Sequence, residues 1–106
     1  MDNTDIEEMF QSLGPVTIKR MFGGKGIYHM GRILALEVDD EILLKADDAS
    51  ASDFEAAGSR RWAYEGKKGK PINMPYWSIP EDAFDDPDVM ARWVRLAYEA
   101  AMRSDK

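Results

Sequence analysis

One histidine and no cysteine stand among the 106 residues, and this narrows the chemistry at once. Without a thiol there is no disulfide, no thiolate metal site and no cysteine nucleophile. His29 could act as a general acid or base. No serine sits beside it in a recognisable nucleophile context, and a lone histidine on a short strand is more often a surface or edge residue. The segment Met21-Phe22-Gly23-Gly24-Lys25-Gly26 could cradle a phosphate with its backbone amides. It lacks the G-x-x-x-x-G-K-[ST] spacing, and no helix follows it. It leads into a strand, so the plainer expectation is a kinked or bulged connection. The acids Glu81, Asp82, Asp85, Asp86 and Asp88 could gather a hard cation. The calcium-loop pattern is absent, however, and helix capping and solubility account for them with fewer assumptions. No catalytic, cofactor-binding or metal-ligating residue is nominated. The expectation is a protein that is not an enzyme and takes no cofactor.

The stronger local signal is basic. Arg60, Arg61, Lys67, Lys68 and Lys70 lie close in sequence to Trp62, Tyr64, Tyr76 and Trp77. Cations interleaved with aromatics can grip a nucleic-acid strand by pairing phosphates and stacking bases. Alternatively, the aromatics face the core and the lysines solubilise a hairpin tip. A third option is docking to an acidic protein surface. Arg60, Arg61, Tyr64, Lys67, Lys68 and Lys70 are therefore the candidate interaction surface. The window Ser59 to Pro71 carries +4 in a chain of net charge −6, which leaves −10 on the remainder. That balance disfavours nucleic acid and anionic membranes as partners.

The elements that must position these residues can be read in order. Thr4 and Glu7 match a capping box, with Ile6, Met9, Phe10 and Leu13 at helical spacing. Gly14-Pro15 stops that helix, predicted over 4–13. Val16 to Phe22 reads as a strand. Gly23 to Gly26 breaks regular structure, and Ile27 to Met30 resumes strand character. Met30-Gly31-Arg32 is a tight reversal. Ile33 to Val38 is a central strand, Asp39-Asp40-Glu41 a turn, and Ile42 to Ala46 a returning strand. Connections this short imply an antiparallel meander of three or four strands. Ser50 and Asp53 suggest a cap for a short helix that ends at Gly58, with Phe54, Ala56 and Ala57 as its apolar face.

Arg61 to Tyr64 and Ile72 to Trp77 read as two further strands around the loop 65–70. Pro75 cannot donate to a ladder, so its strand is expected at an edge or bulged. One helical turn follows at 80–84. Asp86 caps the last helix, with Pro87 in its first position. Val89, Trp93, Leu96 and Ala100 give that helix a stripe, widened by Met90, Val94, Ala97 and Ala101. The expected fold class is α+β: one antiparallel sheet with helices packed on it.

Length and a 44% hydrophobic content fit one domain over 1–106. The acidic first residues do not read as a signal peptide, and no apolar run approaches the roughly 20 residues needed to span a bilayer. With no cysteine, a reducing, cytoplasmic location is expected.

Several of these residues together form a familiar order. Leu13-Gly14-Pro15-Val16 leads to Arg20-Met21-Phe22-Gly23-Gly24 and Gly26-Ile27-Tyr28. Leu43-Leu44-Lys45, Phe54-Glu55-Ala56-Ala57-Gly58, Tyr64 and Met74-Pro75-Tyr76 follow. From Ile6 to Ala101 the chain resembles the N-terminal domain of the TfoX/Sxy family of bacterial competence regulators. The resemblance implies an α+β domain without catalytic residues. It also implies a role in transcription regulation, through contacts with a protein partner such as the transcription machinery. Those regulators activate DNA-uptake genes alongside a cyclic-AMP receptor protein and carry a second, C-terminal domain; this chain is expected to be a single-domain member. Arg20, Met21, Phe22, Gly23, Gly24 and Gly26 match the family's most recognisable motif and are expected to be structural. The alternatives are a nucleic-acid-binding accessory protein using 60–70, and a small-ligand binder or enzyme at Gly23–Gly26. A homodimer through an edge strand is also open.

Overall fold

The computed structural model describes residues 2–21, 23–65 and 69–104, with the backbone alone at 64 and 65. In chain order the elements are α1 (Asn3–Met9), β1 (Thr17–Met21), β2 (Gly24–His29), β3 (Arg32–Val38), β4 (Glu41–Lys45), α2 (Ala51–Ala56), β5 (Arg61–Glu65), β6 (Pro71–Ser78), a 3-10 turn (Glu81–Asp85) and α3 (Pro87–Ser104). The strands form one antiparallel sheet in the order β1-β2-β3-β4-β6-β5. The α+β expectation holds, and the meander has four strands.

Two reversals set its register. His29 pairs with Arg32 and Val38 with Glu41, so each connection has two residues. Met30 and Gly31 have φ of 53° and 81°, and Asp39 and Asp40 have 51° and 63°. Paired positive φ values are the type I′ geometry whose twist matches that of the flanking strands. Between β2 and β3 the register slips. Ile27 faces Ala35 and Tyr28 faces Ile33, which leaves Leu34 as the extra residue. This bulge turns two consecutive side chains, Leu34 and Ala35, into the core, where both are fully buried.

Across the sheet, Ile27, Ala35, Leu44 and Trp77 lie in one cross-strand row on the core face. Ile6 and Phe10 from the first helical segment, Phe54 of α2, and Met90, Trp93, Val94, Ala97 and Ala101 of α3 cover that face. Phe54 lies between Trp93 and Trp77, at ring-centroid distances of 4.8 and 6.3 Å. The α3 contact line runs through Met90, Val94, Ala97 and Ala101, while Val89 and Leu96 are only half-buried. The predicted stripe therefore holds, with Trp93 and Ala100 buried, and is centred on the side predicted to widen it. Alanine at 97, 100 and 101 lets the helix lie close to β3 and β4.

Four local expectations need correction. Asp2, not Thr4, caps α1: its Oδ1 accepts from the Asp5 amide at 2.9 Å, and regular helix ends at Met9, with tighter turns continuing to Gly14. Ser50 precedes α2 but makes no side-chain cap; its hydroxyl accepts from the Asp47 amide and donates to Asp47 Oδ1. On α2 only Phe54 is buried, and Ala56 and Ala57 face solvent. Gly58 does end that helix as predicted, with φ 83° and the Ser59 amide reaching back to the Phe54 carbonyl. Finally, of the two alternatives for the Pro75 strand the edge is corrected and the bulge holds: β6 is an interior strand between β4 and β5. Its Pro75 is accommodated by a bulge: Trp62 on β5 faces Met74, Pro75 and Tyr76 on β6. The Pro75 carbonyl still accepts from Ala46, so only the missing donor had to be absorbed.

Candidate interaction surface

The glycine motif lies in the β1–β2 hairpin. Arg20 and Met21 end β1, Gly23 turns with φ 78°, and Phe22 lies outside the described residues. Gly24, Lys25 and Gly26 do not interrupt the sheet, as the sequence had suggested. They belong to β2 and pair with Met21, Arg20 and Lys19. The reason is a close approach between strands. A Cβ on Gly24 would lie 2.1 Å from the Glu37 carbonyl oxygen, and one on Gly26 would lie 2.5 Å from Met21 Sδ. At Gly24 the neighbour is backbone and only hydrogen fits, whereas at Gly26 the neighbours are side chains that would have to shift. Lys25 Nζ donates to Asn3 Oδ1 at 2.9 Å and lies 4.0 Å from Glu37, tying α1 to the sheet.

His29 also has a structural partner. Its Nδ1 is 2.8 Å from the Pro15 carbonyl oxygen. A carbonyl can only accept, so Nδ1 carries the hydrogen. The ring meets Tyr98 edge-on at 5.0 Å, which fastens the α1–β1 connection and β2 to α3.

Among the acids, Asp86 caps α3 as predicted, accepting from the Asp88 amide at 3.0 Å and the Val89 amide at 3.4 Å. Glu81, Asp82, Asp85 and Asp88 are exposed. Among the described residues no group of three or more His, Asp or Glu is placed to hold a metal ion.

The basic segment is split by the fold. Arg60 donates to Glu41 at 2.6 Å, and its amide donates to Ser78 Oγ. Arg61 Nε donates to the Met74 carbonyl at 3.0 Å across the β6 bulge. Lys70 is exposed, whereas Lys67, Lys68 and the Tyr64 side chain lie outside the described residues. Trp77 and Tyr76 are buried and offer no stacking platform. Burial, assisted by the neighbouring Tyr28, pushes the Tyr76 phenol above its ordinary range.

Two features had no signal in the sequence. Asp47 accepts a two-pronged ion pair from Arg103, with Nε to Oδ2 at 2.6 Å and a second bond to Oδ1 at 2.9 Å. The other is Phe84 in the 3-10 turn, 55% exposed at the ridge between two grooves. The larger groove, of about 870 Å³, lies among α2, the 3-10 turn and α3 and includes Asp53, Val89 and Arg92. The smaller, of about 390 Å³, lies between α1 and α3 and includes Glu8, Met9 and Pro87. Among the described residues no helix is long and apolar enough to cross a membrane.

The model of the TfoX N-terminal domain matches residues 8–101. The chain belongs to the TfoX N-terminal domain family. No curated protein matches it significantly. The match runs from the last two residues of α1 into the last turn of α3 and takes in all six strands, α2 and most of α3.

Proposed function

We propose that this TfoX domain is a non-enzymatic regulatory module that works through protein–protein contacts in the cytoplasm, with the transcription machinery as one kind of partner. The observation that carries the reading is the contrast between Phe84 and the residues capable of chemistry. His29, Arg60, Arg61, Asp47 and Asp86 are each engaged in a bond that holds the fold. Phe84, by contrast, is more than half exposed beside two grooves. Exposed aromatics set in grooves are typical centres of protein contacts. A lack of cysteine fits a reducing compartment.

The test is affinity capture from native lysate, with a photo-crosslinking residue placed at Phe84 and, as control, at exposed Met30. The reading expects a stoichiometric partner crosslinked from position 84 and not from 30. Repeated capture without any stoichiometric partner would count decisively against it.

A further inference from the structure

We infer that the acid-rimmed grooves flanking Phe84 are a docking site for a basic, amphipathic segment of a partner protein. This rests on the reading of the domain as a protein-interaction module and specifies the chemistry of its partner. Phe84 lines both grooves, so a segment seated in either one covers its ring. The smaller groove has apolar walls from Met9, Ala83, Pro87 and Met90, and its only charged lining residues are Asp5 and Glu8. The larger adds Asp53, Glu81 and Asp82. Arg60 is paired by Glu41, and Arg92 keeps its charge as it lies over the Trp93 ring at 5.3 Å, so Glu41, Asp53, Glu81 and Asp82 outnumber the two arginines and the lining stays acidic. The five carboxylates Asp5, Glu8, Asp53, Glu81 and Asp82 make no ion pair among the described residues.

An apolar ridge inside a net acidic rim selects its occupant by charge. Apolar side chains spaced three and four residues apart on an amphipathic segment would cover the Phe84 ring and supply affinity. Lysines or arginines on its flanks would meet the rim, steer the encounter and exclude acidic competitors. Nucleic acid and acidic peptides are repelled by the same field.

The probe is a synthetic amphipathic peptide with leucines on one helical face and lysines on the other. Its comparison is the same peptide with glutamate for every lysine. The lysine peptide is expected to bind folded protein, with amide shift changes centred on Met9, Ala83, Phe84, Val89 and Ala91. Phe84→Ala and Asp82→Lys should each weaken binding about tenfold, the loss expected of a central anchor. Asp48→Lys makes the same charge change away from Phe84 and should weaken it less than about threefold, as a distant charge does. The site is overturned if the glutamate peptide binds as well, if the lysine peptide does not bind, if the shifts centre elsewhere, or if the Phe84 and Asp82 variants bind like wild type. A native partner captured equally by wild type and Phe84→Ala removes this site and leaves the interaction reading standing. Failure of the wild type to capture any partner removes that reading, while the peptide titration still decides the groove.

Discussion

In Gly24→Ala the added methyl carbon would lie 2.1 Å from the Glu37 carbonyl oxygen and 3.2 Å from its carbonyl carbon. Ordinary contact begins near 3.4 Å, so the two atoms must separate by more than an ångström. Neither can yield alone. Gly24 pairs with Met21 on one strand, while Glu37 pairs with Lys25 and Ile42 on its neighbours. The strain therefore falls on paired backbone where the β1–β2 and β2–β3 ladders begin, beside the β1–β2 turn. Overpacking typically costs about 1–3 kcal/mol, and a clash with backbone belongs at the upper end. For a domain of this size each kcal/mol lowers the melting temperature by roughly 4–8 °C, so a loss of about 12–24 °C is expected.

Gly31→Ala is the control. Its φ is 81°, but nothing lies within 4 Å of the added carbon. Left-handed strain of about 1–2 kcal/mol is partly offset by the smaller entropy of the unfolded alanine chain. The net cost of at most about 1.6 kcal/mol corresponds to a loss below roughly 13 °C. Circular dichroism melts of both variants, with urea titrations to confirm an unchanged m value, make the comparison. If Gly24→Ala melts no lower than Gly31→Ala, the close approach of β2 and β3 at Glu37 is wrong.

Other expectations follow from the same packing. The hydrogen bonds from Arg103, with its charge, hold the Asp47 carboxyl down to about 2 from an ordinary 3.8. A depressed folded-state pKa means the stabilisation is complete above about pH 4 and is lost as pH falls toward 2. Both side chains keep part of their surface in water, so the pair contributes about 1 kcal/mol. Asp47→Asn should therefore lower the melting temperature at pH 7 and leave it unchanged near pH 2; equal destabilisation at both would exclude the ion pair as the cause. Phe54→Ala removes a fully buried ring between two tryptophans. It should cost about 3–5 kcal/mol, read as a lower urea midpoint, and shift tryptophan emission to the red; a loss under 1 kcal/mol contradicts the packing described. With Arg60 and Arg61 bonded at the surface to Glu41 and the Met74 carbonyl, and with a net charge of −6, no gel shift of single- or double-stranded DNA is expected even at low salt. A salt-sensitive shift abolished by Lys70→Glu would instead favour the nucleic-acid reading.

What could be read from residue order was whatever short-range chemistry decides. Asp86-Pro87 begins α3 because capping and a fixed φ act within one turn, and the two reversals fall where strand pairing demands them. Long-range contacts decided the rest. Ser50 looks like a cap until Arg103, 56 residues beyond Asp47, fixes that aspartate and with it the hydroxyl. Gly24 looks like a break until Glu37 lies against it. Pro75 signals an edge or a bulge, and only the pairing of β4 with β6 decides for the bulge. At the surface, exposed Lys70 could be anticipated, whereas the fate of Arg60 depended on Glu41 in β4. Phe84 is a commonplace residue in sequence and becomes notable only when α1 and α3 leave it uncovered.

Because α3 supplies Met90, Trp93, Val94, Ala97 and Ala101 to the same apolar layer as the first helical segment, it has a consequence for biogenesis. A nascent chain that has emerged through β6 holds all six strands yet leaves a greasy face bare. Cooperative closure must wait for the helix that follows, and until then the ribosome-bound intermediate is a substrate for holdase chaperones.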